Sequence, residues 1–246
     1  MRDALPSDIF MNIDDFSPKR VLVVTPHPDD AEIGAGGTLS RWIAQGAACT
    51  LVVCTNGDKG SEDPEMTSPR LAAIREREQQ EAAEVLGLRD VIFLRHPDGD
   101  LEDTRVLRGQ IVREIRRTRP DVVLTTDPHR RTFYLHRDHR IAGQVTLDAV
   151  FPFARDRLSF PEQLEEGLSP HKTPYIFLWG SDAPDHHIDI AGTLDMKIAA
   201  LRKHASQVAA QRERDFTEFL RQMAQRAGKD KGMEAAEAFR VIEIMR

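Results

Sequence analysis

Cysteine is almost missing from this chain: only Cys49 and Cys54 occur in 246 residues. They do not form a C-x-x-C pair, and residues five apart on a strand point to opposite faces. Two buried structural thiols and a reducing, cytoplasmic setting are the expectation, in place of a disulfide framework. Long hydrophobic runs are missing too, and a bilayer span needs about 20 apolar residues. The opening segment Met1-Arg2-Asp3-Ala4-Leu5-Pro6 has an acid and a proline where a signal peptide needs a basic start and an apolar core. Excess positive charge is the third absence. A net charge of −6 argues against nucleic acid as a partner, because phosphate binding wants a basic face. No internal repeat, low-complexity tract or linker divides the chain. Its 40% hydrophobic and 30% charged residues are ordinary for a globular protein able to bury one full core.

What is present alternates. Residues 20–25 read as a buried strand, 36–44 as a helix ending near Gly46, and 48–54 as a second strand. Ser68-Pro69 opens a long helix that stops at Gly87. Val91-Ile92-Phe93-Leu94 is a third strand. Val106, Leu107, Ile111, Val112 and Ile115 have helical spacing within 104–118. Pro120 ends that helix, and a fourth strand follows at 121–126. Strands alternating with helices predict an α/β fold, a Rossmann-like parallel sheet flanked by helices. Beyond His139, a helix over 139–150 precedes a Pro- and Phe-rich segment, Phe151–Thr173, that reads as a loop or lid bordering the pocket. Its Phe151, Phe153 and Phe160 would cover a substrate or a neighbouring subunit. Strands at 175–179 and 187–190 and a helix from Thr193 to about His204 come next. The chain reads as one domain over 1–246, with a core of about 20–207 and a C-terminal helical extension of about 207–246.

Two clusters carry the chemistry. Pro26-His27-Pro28-Asp29-Asp30 follows the first strand directly, and His136-Arg137-Asp138-His139 follows the fourth. Ligands of open α/β sheets bind outside the carboxyl ends of the strands, so the two clusters can close into one metal site there. A catalytic zinc site wants three protein ligands and an open position. His27, His139 and one of Asp29 or Asp30 supply the three; the other aspartate would act as base, and spacing alone does not divide the roles. His186-His187 makes a poor chelate, since neighbours on a strand face opposite ways. His96 and His129 have no matched partner pattern.

His27-Pro28-Asp29-Asp30-Ala31-Glu32-Ile33-Gly34-Ala35-Gly36-Gly37-Thr38 with His136-x-Asp138-His139 resembles the PIG-L/LmbE-like zinc de-N-acetylases. Weaker matches are Arg75-x-x-Glu78 with Ala82-Ala83-x-x-Leu86-Gly87, and Asp195-x-Lys197 with His204-x-Ser206-Gln207. The resemblance implies a hydrolase that uses one zinc per chain. It would remove the acetyl group of an N-acetylglucosamine-type sugar or conjugate by attack of a zinc-activated water. It implies His27, Asp30 and His139 as metal ligands and Asp29 as general base. His136 would sit beside the developing oxyanion, and Asp138 would orient a histidine and favour the charged form of His136. Arg75, Asp98, Tyr134 and His204 would meet the substrate, Tyr134 by polarising the carbonyl. A trimer or hexamer is implied as well. Ala31 and Arg137 depart from the usual motifs, and Arg137 is expected to shape the pocket rim. The same scaffold also hosts a hydratase of unsaturated carboxylates, an alternative that Arg130, Arg131 and Arg137 keep open. Non-haem iron is a further option for two histidines and a carboxylate.

Overall fold

The structure is a computed structural model and describes residues 16–132, 134–208 and 216–244. Five parallel strands form the centre of the sheet: β1 (Arg20–Thr25), β2 (Ala48–Thr55), β3 (Asp90–His96), β4 (Val122–Thr126) and β5 (Tyr175–Trp179). β6 (His186–Asp189) and β7 (Ala236–Glu243) complete the order β3-β2-β1-β4-β5-β7-β6, with β7 antiparallel to both of its neighbours. From β1 the chain winds outward to β2 and β3, then returns to place β4 on the other side of β1. That reversal opens a crevice at the carboxyl ends of β1 and β4, where such sheets hold their ligands.

Alternation within β1 sets the two faces. Val21 and Val23 pack with Leu51, Val53 and Cys49 under helix α1 (Asp30–Ala44), whose Ala35, Leu39 and Trp42 are buried. Leu22 and Val24 pack with Val52 and Cys54 under α3 (Arg105–Thr118) and α4 (Arg137–Asp148). The two free thiols thus lie on opposite faces, as their spacing requires.

α1 begins at Asp30, six residues before the expected start. Gly36 and Gly37, read as a boundary, lie inside the helix because other side chains crowd them. A Cβ at Gly37 would come within 2.8 Å of Ile190, and one at Gly34 within 2.6 Å of Trp179. Close packing here outweighs the ~1 kcal/mol that glycine costs a helix interior.

Two further expectations need correction. The C-terminal stretch is not a helical extension. Phe216–Lys229 is helical, but 236–243 turn back as β7 and enter the sheet. The rest of the expected helix, 209–215, lies outside the described residues. Glu237 hid the strand pattern. It is a buried carboxylate that pairs with Lys197 Nζ at 2.5 Å and accepts Gly37 N at 3.0 Å and Thr38 N at 2.8 Å. The segment 151–173 is not a lid. It packs on α3, where the buried Arg116 donates to the carbonyls of Phe153, Ala154, Asp156, Ser159 and Phe160. Phe160 enters the core and stacks below the Arg105 guanidinium, and Phe151 is exposed. Backbone carbonyls left open by an irregular segment need donors, and Arg116 supplies five of those bonds.

Candidate metal centre

The first cluster is a tight turn between β1 and α1. Thr55 N donates to Pro26 O at 2.8 Å, tying the turn to β2. Asp29 then takes φ 90°, ψ −24°, a left-handed conformation that costs a non-glycine residue about 1–3 kcal/mol. The chain turns sharply enough for Asp30 to open α1 and fold back on His27. Asp30 Oδ2 accepts the His27 backbone N–H at 2.9 Å and lies 3.2 Å from His27 Nδ1.

The second cluster is the first turn of α4. Gly143 places that helix hard against β4, where a Cβ would collide with Thr126 O. His136 caps the helix, its Nδ1 accepting Asp138 N at 3.2 Å. One turn in, His139 Nε2 comes within 3.3 Å of Asp30 Oδ1. His27, Asp30 and His139 therefore offer three buried donor atoms within 4.8 Å of one another. His139 Nε2 is buried and makes no hydrogen bond, and a cation is one partner that a buried nitrogen beside a carboxylate can take. Two imidazoles and one carboxylate suit zinc, and also iron.

The other side of His27 is clamped by acids. Its Nε2 is 3.1 Å from Asp98 Oδ1 and 3.2 Å from Asp138 Oδ2. Asp138 also accepts Gly99 N at 2.7 Å and Leu101 N at 3.2 Å, and Asp98 Oδ2 accepts Lys59 N at 3.3 Å. Carboxylates behind a metal-binding histidine fix its tautomer and raise its basicity. The Asp138 carboxylate thus meets His27 and not His136, the ring whose charged form it was expected to favour. Asp98 spends its carboxylate on the same ring.

These contacts set the ionisation states without a metal. Burial opposes the charge on His27, yet Asp138, Asp30 and Asp98 raise its pKa well above the usual value. Burial opposes the charge on Asp30 too, but the imidazoles of His139 and His27 hold its carboxyl below the usual range. His139 is lowered to about 4, by burial first, with His27 and Arg130 adding to it against Asp30. Asp29 is pushed up to about 6, mainly because burial strips its water; Asp30 adds to the rise and Arg75 opposes it.

The expected substrate contacts divide. Tyr134 is 56% exposed, with φ 55° and its ring centroid 5.0 Å from that of His139. Arg75 is buried and committed: Nη2 donates to Pro28 O at 2.7 Å and Asp29 Oδ2 at 3.1 Å, and Nη1 donates to Gly57 O at 3.0 Å. It holds the turn and the candidate base. His204 is fully buried beside Glu32, with Nε2 3.4 Å from Glu32 Oε2, and has no open face for a substrate. Of the three arginines near the second cluster, Arg137 bonds Leu101 O at 2.5 Å and Arg131 is exposed. Of the three, only Arg130 reaches the His27, Asp30 and His139 group, its Nη2 standing 2.6 Å from His139 Nδ1. Sequence reasoning passed over Gln79, which accepts Asp29 N at 3.0 Å. Its spacing of four from Arg75 on one helix, α2 (Ser68–Leu86), was the available signal.

Comparison with known proteins gives the family to which this fold and site belong. The chain belongs to the PIG-L family, GlcNAc-PI de-N-acetylase, whose model matches residues 22–150. It is 34% identical to the diacetylchitobiose deacetylase of Thermococcus kodakarensis, over 91% of this chain and 83% of that one. It is 28% identical to a 1D-myo-inositol 2-acetamido-2-deoxy-alpha-D-glucopyranoside deacetylase of Thermomonospora curvata, over 85% and 87% of the two chains. The solved N,N'-diacetylchitobiose deacetylase from Pyrococcus horikoshii superposes with a TM-score of 0.89 at 30% identity, covering 96% of this chain and 88% of that one. Among the described residues no helix is long and apolar enough to cross a membrane.

Proposed function

We propose that this protein is a zinc-dependent deacetylase that frees the amine of an N-acetylglucosamine-type sugar or conjugate by hydrolysing its acetamide. The observation that carries the reading is the convergence of His27, Asp30 and the unpartnered His139 Nε2, with Asp29 next in the chain. Zinc held by these three residues would supply Lewis acidity, lowering the pKa of a water and polarising the acetyl carbonyl.

The chain's own groups do the rest. Asp29, pushed up to about 6 by burial, stands near the pH at which a carboxylate both takes and returns a proton. It accepts the proton of the attacking water and passes it to the leaving amine. His136 is the oxyanion donor. Because Nδ1 accepts the Asp138 N–H, the hydrogen of the neutral ring sits on Nε2. His136 can therefore donate without being charged, and Asp138 is free to hold His27. Tyr134 flanks the opening, where its hydroxyl can meet the carbonyl or a sugar.

The diacetylchitobiose and glucosaminyl-inositol relatives suggest the first substrates. Zinc-loaded protein given N-acetylglucosamine, N,N'-diacetylchitobiose and the inositol conjugate should release acetate and free amine in equal amounts from at least one of them. No amine from any of the three would set the proposal aside.

A further inference from the structure

Asp29 needs more than its own sequence to stay in its left-handed conformation. Arg75 grips the side chain and the carbonyl before it, which leaves the Asp29 backbone N–H to be satisfied separately. The acceptor is Gln79 Oε1, one turn further along α2. A glutamine amide can present either end, and an N–H facing an NH2 group would be repelled. What selects the end is Glu32, on α1. Its Oε1 accepts Gln79 Nε2 at 2.8 Å. That contact commits the NH2 group to Glu32 and leaves Gln79 Oε1 for Asp29. His204 stands on the far side of Glu32, with Nε2 3.4 Å from Oε2. Gln79, Glu32 and His204 are each fully buried, so no water can stand in for any of them.

We propose that Gln79 is a positioning residue whose amide, oriented by Glu32 and His204, holds the Asp29 main chain so that its carboxylate faces the reaction. The inference rests on Asp29 being the general base. It assigns a job to three buried polar residues that touch neither the metal ligands nor the substrate mouth. It also places the late segment that carries His204 in the service of the first motif. A second tie runs in parallel: Glu78, also on α2, accepts Ser206 N at 2.8 Å and Ser206 Oγ at 2.6 Å.

The test is an exchange of acceptor and donor. Gln79→Glu sets two carboxylates face to face, and Gln79→Met removes the acceptor at nearly constant volume. Each should lower kcat by roughly 10- to 100-fold, the cost of misplacing a reacting group by about an ångström. KM and zinc content should stay at wild-type values. The double variant Glu32→Gln, Gln79→Glu swaps amide and carboxylate and restores complementarity. The amide now on α1 donates to the carboxylate now on α2, and that carboxylate still accepts from the Asp29 N–H. The double variant should recover kcat to within about threefold of wild type, a loss of under 1 kcal/mol. If the network only stabilises the core, melting temperatures will fall while kcat per folded, zinc-loaded chain stays constant, and the proposal is overturned. Failure of the double variant to recover kcat overturns it too. Asp29→Asn, measured alongside, separates the two layers. Wild-type turnover in that variant removes the base assignment and the inference together. Loss of turnover there, with wild-type kcat in Gln79→Met, removes the inference alone.

Discussion

Replacing Asp29 with asparagine should stabilise the metal-free protein while abolishing turnover. The carboxyl group is pushed up to about 6 from an ordinary 3.8, chiefly by burial, with Asp30 adding to the rise and Arg75 opposing it. A folded-state pKa above the unfolded one means that the fold favours the protonated acid. That contribution is complete below about pH 4 and is lost as the pH rises through about 6. Each pKa unit is worth about 1.4 kcal/mol, so ionising Asp29 costs the fold up to about 3 kcal/mol at neutral pH. Asparagine carries no charge and tolerates φ 90° as well as aspartate does. Asp29→Asn should therefore gain about 3 kcal/mol at pH 7.5, or roughly 6–12 °C in Tm for a chain of this size. At pH 4 the gain should vanish. Urea melts of both proteins in chelator, across pH 4–8, measure the difference directly. A cation bound beside Asp29 favours its ionised form, so zinc should shrink the gap. A variant less stable than wild type at pH 7.5, or a gain of equal size at every pH, would show that burial does not hold the Asp29 carboxyl in its acid form.

Other residues give separate readouts. His136→Ala should cut turnover by about 100- to 1,000-fold through loss of an oxyanion donor. It should keep its zinc and lose about 1 kcal/mol of stability as the α4 cap goes; a loss of zinc would make His136 a brace for the ligand loop instead. Asp138→Asn leaves Asp98 as the one buried acid on His27 Nε2 and should weaken zinc binding by roughly 10- to 100-fold in chelator competition. Arg116→Met strips five carbonyl contacts from the 151–173 segment and should cost about 3 kcal/mol in a urea melt. Because that segment packs on α3, kcat per folded chain should hold, and an altered substrate preference would return it to the pocket.

Much of the site was legible because its parts are local. His27 to Asp30 and His136 to His139 each sit within four residues behind a β-branched strand, and the strand-end rule brings them together. The roles of Arg75, Asp98 and His204 were not legible, because each depends on which distant group it meets. Arg75 meets Asp29 across 46 positions, Asp98 meets His27, and His204 meets Glu32 behind α1. β7 escaped notice because Glu237 and Arg240 break its apolar alternation. Glu237 is buried because Lys197 and the Gly37 and Thr38 backbone N–H groups satisfy it, none of them near it in sequence. The start of α1 was misplaced for a similar reason. Nothing near Gly36 and Gly37 in sequence tells that Lys197 and Ile190 press against them.

The proposed chemistry turns on one zinc, held by His27, Asp30 and His139 and used to hydrolyse an acetamide. Zinc per chain and acetate released from N,N'-diacetylchitobiose, measured on the same samples of wild type and His139→Ala, decide whether it is so. Wild type should carry one zinc and release acetate steadily, with both lost to a chelator and restored by added zinc. His139→Ala should hold little zinc and release no acetate. A full zinc complement in His139→Ala, or acetate release that survives the loss of metal, would contradict the assignment.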